Sequence, residues 1–142
     1  MTEALSYFFL SWTSPYLLFL TAAGTMAGIY VGAIPGLSVT MAVSILISFT
    51  FKWHVNEALA LISGIFLGGV YGGSRSAILL NIPGAPAAIA TALDGYPMAK
   101  RGEAGTAIGL TTVVSVLGGF IGIIALAAGA PALSSLSLLF ES

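Results

Sequence analysis

The chain has 142 residues, of which 58% are hydrophobic and only 6% are charged, whereas about a quarter of the residues in soluble domains are charged. Its formal net charge is −1 and its mean hydropathy is +1.06. These values predict an integral membrane protein, because the chain has too few polar residues to cover an apolar core in water. The absence of a basic patch argues against nucleic acid as a partner.

The residue types also argue against an enzyme. There is no cysteine, which excludes thiolate catalysis and cysteine-based metal sites. The single histidine, His54, stands in a predicted loop without a paired nucleophile. We therefore expect no catalytic residue and no cofactor beyond a coupling ion. The first 15 residues contain Glu3 but no Lys or Arg, unlike a cleaved signal peptide, so we expect this end to remain on the mature protein.

Four apolar runs approach or exceed the roughly 20 residues that a membrane-spanning helix needs. They cover residues 16–34, 37–51, 58–74 and 106–130. The second run is slightly short and is interpreted as a span or a broken span, with Lys52 and Trp53 as interfacial anchors. We expect residues 1–142 to form a single membrane domain, an all-α integral membrane fold with about four transmembrane helices.

Glycine recurs at every fourth residue within these runs. The sets are Gly24, Gly28, Gly32 and Gly36; Gly64, Gly68 and Gly72; Gly105 and Gly109; and Gly118 and Gly122. Each set places bare backbone on one face of a helix, which favours close packing between membrane helices. We interpret the glycines as packing positions, except for those that lie next to proline.

The segment "NIPGAPAAIATALDGYPMAKR", residues 81–101, interrupts this pattern. Pro83 and Gly84 disfavour a continuous helix, and Pro86 suits the start of a new one. The new helix is expected to cover residues 86–94 and to stop at Gly95. At about 13 Å it would cross less than half of the bilayer, and residues 75–82 form a similar arm. The pattern predicts a re-entrant helical hairpin at about 75–95, with Pro-Gly breaks.

A break at membrane depth exposes backbone groups that can bind ions. The amides expected to lack helical partners are those of Gly84, Ala85 and Ala87, and they suit a carboxylate. The carbonyls near 80–82 and the Asn81 side chain suit a small cation such as Na⁺. Pro35-Gly36 is expected to present similar groups to the same cavity. For Asn81 the alternative is that it only caps neighbouring backbone.

Two charged positions in this region need partners. Asp94 has the wrong sign for a helix carboxyl end, so we expect Lys100 or Arg101 to fold back over the stretch Asp-Gly-Tyr-Pro, residues 94–97, and to compensate its charge; the alternative is a role in ion coupling. Arg75 is expected to reach an interface or a carboxylate, since a lipid-facing arginine is costly; the alternative is a role in substrate binding.

The motifs "GAIPGL" at 32–37 and "YGGSRSAILLNIPGAPAAIATALDGYPMAKRGEAG" at 71–105 closely resemble one family. They are similar to the N-terminal region of the large membrane subunit of tripartite tricarboxylate transporters, the TctA family, and the likeness runs from about Pro15 to Glu141. The resemblance implies a multi-pass protein of the bacterial inner membrane. It implies ion-coupled secondary uptake of citrate or other carboxylates, driven by Na⁺ or H⁺. The implied partners are a small membrane subunit and a periplasmic substrate-binding protein.

Carried onto this sequence, the family motifs indicate substrate- or ion-binding positions at Pro35, Gly36, Ser74, Asn81, Pro83, Gly84, Thr91 and Asp94, with a coupling Na⁺ near Asn81. For Thr91 the alternative is a hydrogen bond back to its own helix. Two departures from the family bear on these positions. The first is Ser38, which stands where the family commonly has the second glycine of a Gly-Leu-Gly motif. The second is length, since family members are several times longer and contain a second related half. We therefore expect this chain to need a second permease half. The alternatives are a non-transporting membrane assembly subunit and an inactive truncated fragment.

Overall fold

The structure is a computed structural model that describes residues 14–140, with side chains described through Gly129. Helices make up most of this part of the chain and are α1 (Pro15–Ala33), α2 (Val39–Thr50), α3 (Val55–Leu80), α4 (Ala88–Lys100) and α5 (Ala104–Phe140). No strand occurs within residues 14–140. The all-α fold predicted from the sequence is confirmed.

Three of these helices are long and apolar enough to cross a membrane: α1, α3, and α5 over Ala104–Gly129. The protein is therefore a multi-pass membrane protein. Helix α2 has 12 residues, about 18 Å, which is too short to cross alone. The second apolar run is thus a short helix rather than a full span. It starts late because Ser38 caps it, the Ser38 Oγ accepting a hydrogen bond from the Thr40 amide at 3.3 Å.

Helices α1 and α3 pack through their glycine faces, as the recurrence of glycine at every fourth residue predicted. A Cβ built at Gly24 would lie 2.5 Å from the Leu61 carbonyl oxygen, and one built at Gly64 would lie 2.5 Å from the Thr21 carbonyl oxygen. Further along, Gly28 meets the carbonyl of Ile65. Contacts advance in the same direction along both helices, so α1 and α3 run parallel. No side chain fits between them, which requires glycine at these positions.

Helix α3 continues through the segment expected to be a separate hairpin arm. Residues 75–80 are the last part of this 26-residue helix, so the half-length first arm was wrong. Helix α3 ends at Leu80 because Asn81 takes the left-handed conformation, with φ 56° and ψ 29°. The Asn81 amide donates to the Ala77 carbonyl at 3.1 Å, which completes the cap. The predicted break before Pro83 is confirmed.

Helix α4 runs past Gly95 and Pro97 to Lys100, so the predicted stop at Gly95 was wrong. Gly95 is instead a packing position, where a Cβ would lie 2.7 Å from Ile78 Cγ1. The actual stop is Gly102, whose φ is +86°. The Gly102 amide donates to Ala99 and the Glu103 amide to Met98, both at 3.0 Å, which is the Schellman pattern.

The chain divides into two compact units, one through Ile108 and one from Gly109. In the first unit, the buried cluster Ala77, Ala88 and Ala92 joins α3 to α4. The second unit continues α5 and exposes its large apolar side chains from Leu110 to Leu126. A Cβ at each α5 glycine would meet none of the atoms described within 4 Å. Packing by the glycine pairs of α5 therefore stays a prediction.

Candidate functional site

The connection between α3 and α4 turns back along α3. Gly84 lies beside Gly73, since a Cβ built at Gly84 would be 3.2 Å from the Gly73 Cα. The three steps from Asn81 to Gly84 cover about 10 Å when extended, which matches the about 10 Å of helix from Gly73 to Leu80. The break therefore carries Gly84 about two turns back from the end of α3.

Gly84 also meets the carboxyl end of α1. A Cβ built at Gly84 would lie 2.6 Å from the Gly32 carbonyl oxygen and 3.6 Å from the Ser76 Oγ. We call this meeting point of Gly32, Gly73, Ser76 and Gly84 the glycine junction. It brings together the two sequence segments "GAIPGL" and "NIPG", through Gly32 and Gly84 rather than through their prolines.

Backbone groups on both sides of the break at residues 81–87 have no helical partner. Within the described residues, no hydrogen bond is donated by the amides of Gly84, Ala85 and Ala87, and none is accepted by the carbonyls of Ile78, Leu79 and Leu80. Pro83 contributes to this directly, because it has no N–H to offer the Leu79 carbonyl. Unpaired amides can bind an anion, and unpaired carbonyls can bind a cation. The unpaired amides are those expected, whereas the unpaired carbonyls that end α3 are at 78–80 rather than near 80–82. Ion binding by either set stays a prediction.

Asn81 and Pro83 are solvent-exposed at the end of α3. The left-handed backbone of Asn81 explains the residue type structurally, since Asn adopts this conformation more readily than most residues. Asn81 thus caps α3, which the sequence interpretation had left as one of two alternatives. The exposed position also leaves its amide side chain accessible to a ligand, so the two roles are compatible.

Other predicted positions lie on the neighbouring helices. Ser74 is half-buried on α3, and its Oγ donates to the Val70 carbonyl at 3.2 Å. Thr91 is half-buried on α4. Ser76 was not predicted, yet it is buried and contacts the Gly84 region, with its Oγ donating to the Gly73 carbonyl at 3.0 Å. Its spacing of four residues after Gly72 continues the glycine set of α3 and was the available signal.

Pro35 and Gly36 lie in the turn between α1 and α2, and both are exposed. Gly36 has a φ of +88°, and a Cβ there would meet no described atom within 4 Å. Its role is therefore conformational in this structure, and the meeting with Gly84 is made by Gly32 instead. Binding by Pro35 and Gly36 stays a prediction.

Asp94 lies on the exposed face of α4, away from either end of that helix. The expected partners go elsewhere: Arg101 Nε lies 3.5 Å from Glu103 Oε2, and Lys100 Nζ lies 4.9 Å from the Tyr96 ring centroid. Lys100 thus folds back over Tyr96, within the predicted stretch 94–97, but the prediction that either cation compensates the charge of Asp94 was wrong. It assumed that the helix ended at Gly95, whereas α4 continues for another turn and more, so no carboxyl end lies at Asp94.

Arg75 lies on α3 one turn beyond Gly72, where α3 passes the end of α1. Its Nη2 donates to the Tyr71 hydroxyl, and its guanidinium carbon lies 3.7 Å above the Tyr71 ring centroid. Its Nη1 is buried and has no hydrogen-bond partner in the described part of the chain. The same part contains no group of three or more His, Cys, Asp or Glu side chains placed to hold a metal ion.

Comparison with known proteins places these motifs in a family. The chain matches the family described as "Tripartite tricarboxylate transporter TctA family" over residues 18–142. It is 39% identical over 117 residues to the uncharacterized 52.8 kDa protein in the TAR-I ttuC' 3'region of Agrobacterium vitis. That alignment covers 82% of this chain but 23% of the relative, so the chain spans about a quarter of the relative's length. No solved structure matches the chain. The chain belongs to the tripartite tricarboxylate transporter TctA family.

Proposed function

We propose that this chain is the N-terminal part of the membrane permease subunit of a tripartite tricarboxylate transporter, a transporter and not an enzyme. Its activity would be ion-coupled secondary uptake of citrate or other carboxylates. The observation that carries this proposal is the break at residues 81–87, which leaves amides unpaired near the glycine junction and carbonyls unpaired at the end of α3. Family membership supplies the substrate class.

Each side of the break would bind one ion. The amides of Gly84, Ala85 and Ala87 lie at the amino end of α4 and would bind a substrate carboxylate, helped by the positive end of the helix dipole. The carbonyls ending α3, with the Asn81 side chain, would bind the coupling Na⁺. Binding both together would couple the gradient of the cation to movement of the anion.

The proposed setting is the bacterial inner membrane. A periplasmic binding protein would deliver the carboxylate, and a small membrane subunit would accompany the permease. Because the chain covers 23% of its relative, the remainder of the permease subunit, including a second related half, would complete the substrate cavity. The exposed apolar faces of α1, α2 and α3 would contact that remainder or lipid.

The test is carboxylate uptake into proteoliposomes that contain the complete permease subunit and its two partners. Asn81→Gly removes the side-chain amide while Gly keeps the left-handed conformation. We expect this variant to raise the Na⁺ concentration for half-maximal uptake by about tenfold, the order expected when one ligand oxygen to a cation is lost. Asn56→Ala, which removes an exposed amide at the other end of α3, should leave it unchanged.

Two outcomes would argue against the proposal. Unchanged Na⁺ dependence in Asn81→Gly would remove Asn81 from the cation site. Absence of gradient-driven uptake by the wild-type assembly, despite correct assembly of the three proteins, would favour a non-transporting assembly subunit.

A further inference from the structure

Arg75 directly precedes Ser76 of the glycine junction on α3, whereas Lys100 and Arg101 lie at the carboxyl end of α4. Along α3, Gly68, Gly72 and Arg75 share one face, because residues four and three apart in a helix lie above one another. Gly72 packs against Ile29 and Ala33 near the carboxyl end of α1. Arg75 therefore stands one turn beyond the end of α1, next to Ser76 of the junction.

Tyr71 fixes the orientation of this guanidinium. The Tyr71 ring lies beneath the guanidinium carbon at 3.7 Å, and the Tyr71 hydroxyl accepts from Nη2. A cation over an aromatic face is attracted to the ring, more strongly where water is excluded. One side of the guanidinium is thus held, while Nη1 is buried without a partner among the described residues.

The charge of Arg75 also lacks an acidic partner in the described part of the chain. The ion pair found there joins Arg101 to Glu103. Glu57 lies in the first turn of the same helix, about five turns before Arg75. A buried donor without a partner is costly, and a guanidinium presents two parallel donors that match a carboxylate. Inside a membrane protein such a residue pairs with an opposite charge or lines a ligand pathway.

We propose that Arg75 binds a carboxylate through its Nη1 edge, with Tyr71 as the positioning residue. The carboxylate has two possible sources, the transported substrate or an Asp or Glu in the remainder of the permease subunit. The first source rests on the proposed function and would add a side-chain cation to the backbone amides at the break. The second source does not depend on transport.

The test uses the complete permease subunit, purified in detergent, with citrate as the probe. Thermal unfolding is followed with and without citrate for the wild type, Arg75→Gln, Arg75→Lys and Tyr71→Phe. The control is Arg101→Gln, which removes the exposed arginine of the Glu103 pair. Citrate uptake by the reconstituted assembly gives KM and the maximal rate for the same proteins.

A substrate carboxylate predicts that Arg75→Gln unfolds at the wild-type temperature without citrate but loses the rise that citrate causes. Its KM for citrate should increase about tenfold to a hundredfold, the range for losing a charge-assisted hydrogen bond, with Arg101→Gln unchanged. Tyr71→Phe should raise KM less and leave the maximal rate near wild type, as a positioning role requires.

A carboxylate of the subunit itself predicts the converse. Arg75→Gln should then unfold at a lower temperature without citrate, Arg75→Lys should restore most of the loss, and the citrate effect should stay. The proposal would be overturned if Arg75→Gln had the same unfolding temperature, the same response to citrate and the same KM as the wild type. An equal loss in Arg75→Gln and Arg75→Lys with normal KM, which indicates packing alone, would also overturn it. Failure of the wild type to take up citrate would count against the proposed function and leave the unfolding comparison informative.

Discussion

Three residues with positive φ mark turns within residues 14–140, and they differ in what the sequence reveals about them. Gly36 and Gly102 follow helix ends, as glycine commonly does. Asn81 ends α3 in the left-handed conformation, and the Ile82-Pro83 that follows it independently predicts a break. The break was therefore predictable from residue types. The side to which the chain then turns depends on the Gly73–Gly84 contact, which joins distant residues and leaves no local signal.

Gly84→Ala tests that contact. The added Cβ would lie 2.6 Å from the Gly32 carbonyl oxygen, a backbone atom that cannot move away freely. We expect a loss of about 1–3 kcal/mol in the free energy of unfolding, the usual cost of overpacking, measured by denaturant titration of the complete subunit. Gly119→Ala is the control, since Gly119 stands outside the predicted glycine packing pairs and a Cβ there would meet no described atom within 4 Å. Equal stability of Gly84→Ala and wild type would contradict the close approach.

At the scale of helices, the apolar runs predicted α1, α3 and α5, and missed two boundaries for identifiable reasons. Helix α3 continues through Ser74-Arg75-Ser76 because the two serines bond to preceding carbonyls of the helix and the Arg75 side chain folds onto Tyr71. Helix α4 passes Gly95 because that glycine packs on Ile78. Glycine spacing predicted helix packing but not which helices pair, since several sets were compatible.

The glycine contact between α1 and α3 predicts a large effect of a single methyl group. In Gly64→Ala the added Cβ would lie 2.5 Å from the Thr21 carbonyl oxygen. Alanine favours the helix by about 1 kcal/mol, but the overlap should outweigh this and destabilise the complete subunit by about 1–3 kcal/mol. Gly119→Ala, at a helical glycine outside the predicted packing pairs, carries the same helical preference with no described atom within 4 Å. It should be neutral or stabilising, and a loss equal to that of Gly64→Ala would show that close packing is not the cause.

At the scale of the molecule, the contacts of α4 indicate how the chain enters and leaves the bilayer. Gly84 lies beside Gly73, Ala88 clusters with Ala77, and Gly95 packs on Ile78. The contacts thus move toward the carboxyl end of α3 as α4 proceeds. The sequence predicted a re-entrant segment from the lengths of two helical arms. In the structure the first arm is the non-helical connection at residues 81–87, and the second arm is helix α4. Its placement in the membrane stays a prediction.

Cysteine labelling tests this placement, because the natural chain has no cysteine. Single cysteines at the exposed positions His54, Ile82 and Arg101 would be labelled in oriented vesicles with a membrane-impermeant maleimide. Helix α3, at about 39 Å, exceeds the about 30 Å hydrocarbon core, so His54 and Ile82 should label from opposite faces. Arg101 should label from the same face as Ile82. Labelling of Arg101 from the His54 face would mean that α4 completes a crossing.

The interlocked backbones of α1 and α3 also limit how a permease built on this chain can move. Gly24, Gly28 and Gly32 of α1 lie against carbonyls of α3, and Gly64, Gly68 and Gly72 of α3 lie against carbonyls of α1. Rotation or sliding of one helix would therefore bring side chains into backbone. We therefore expect the two helices to move as one rigid body. Since Gly84 contacts both of them, the break at 81–87 would move with that body. In an alternating-access cycle, the hinge would then lie outside this pair, in the α1–α2 and α2–α3 turns or in the remainder of the subunit.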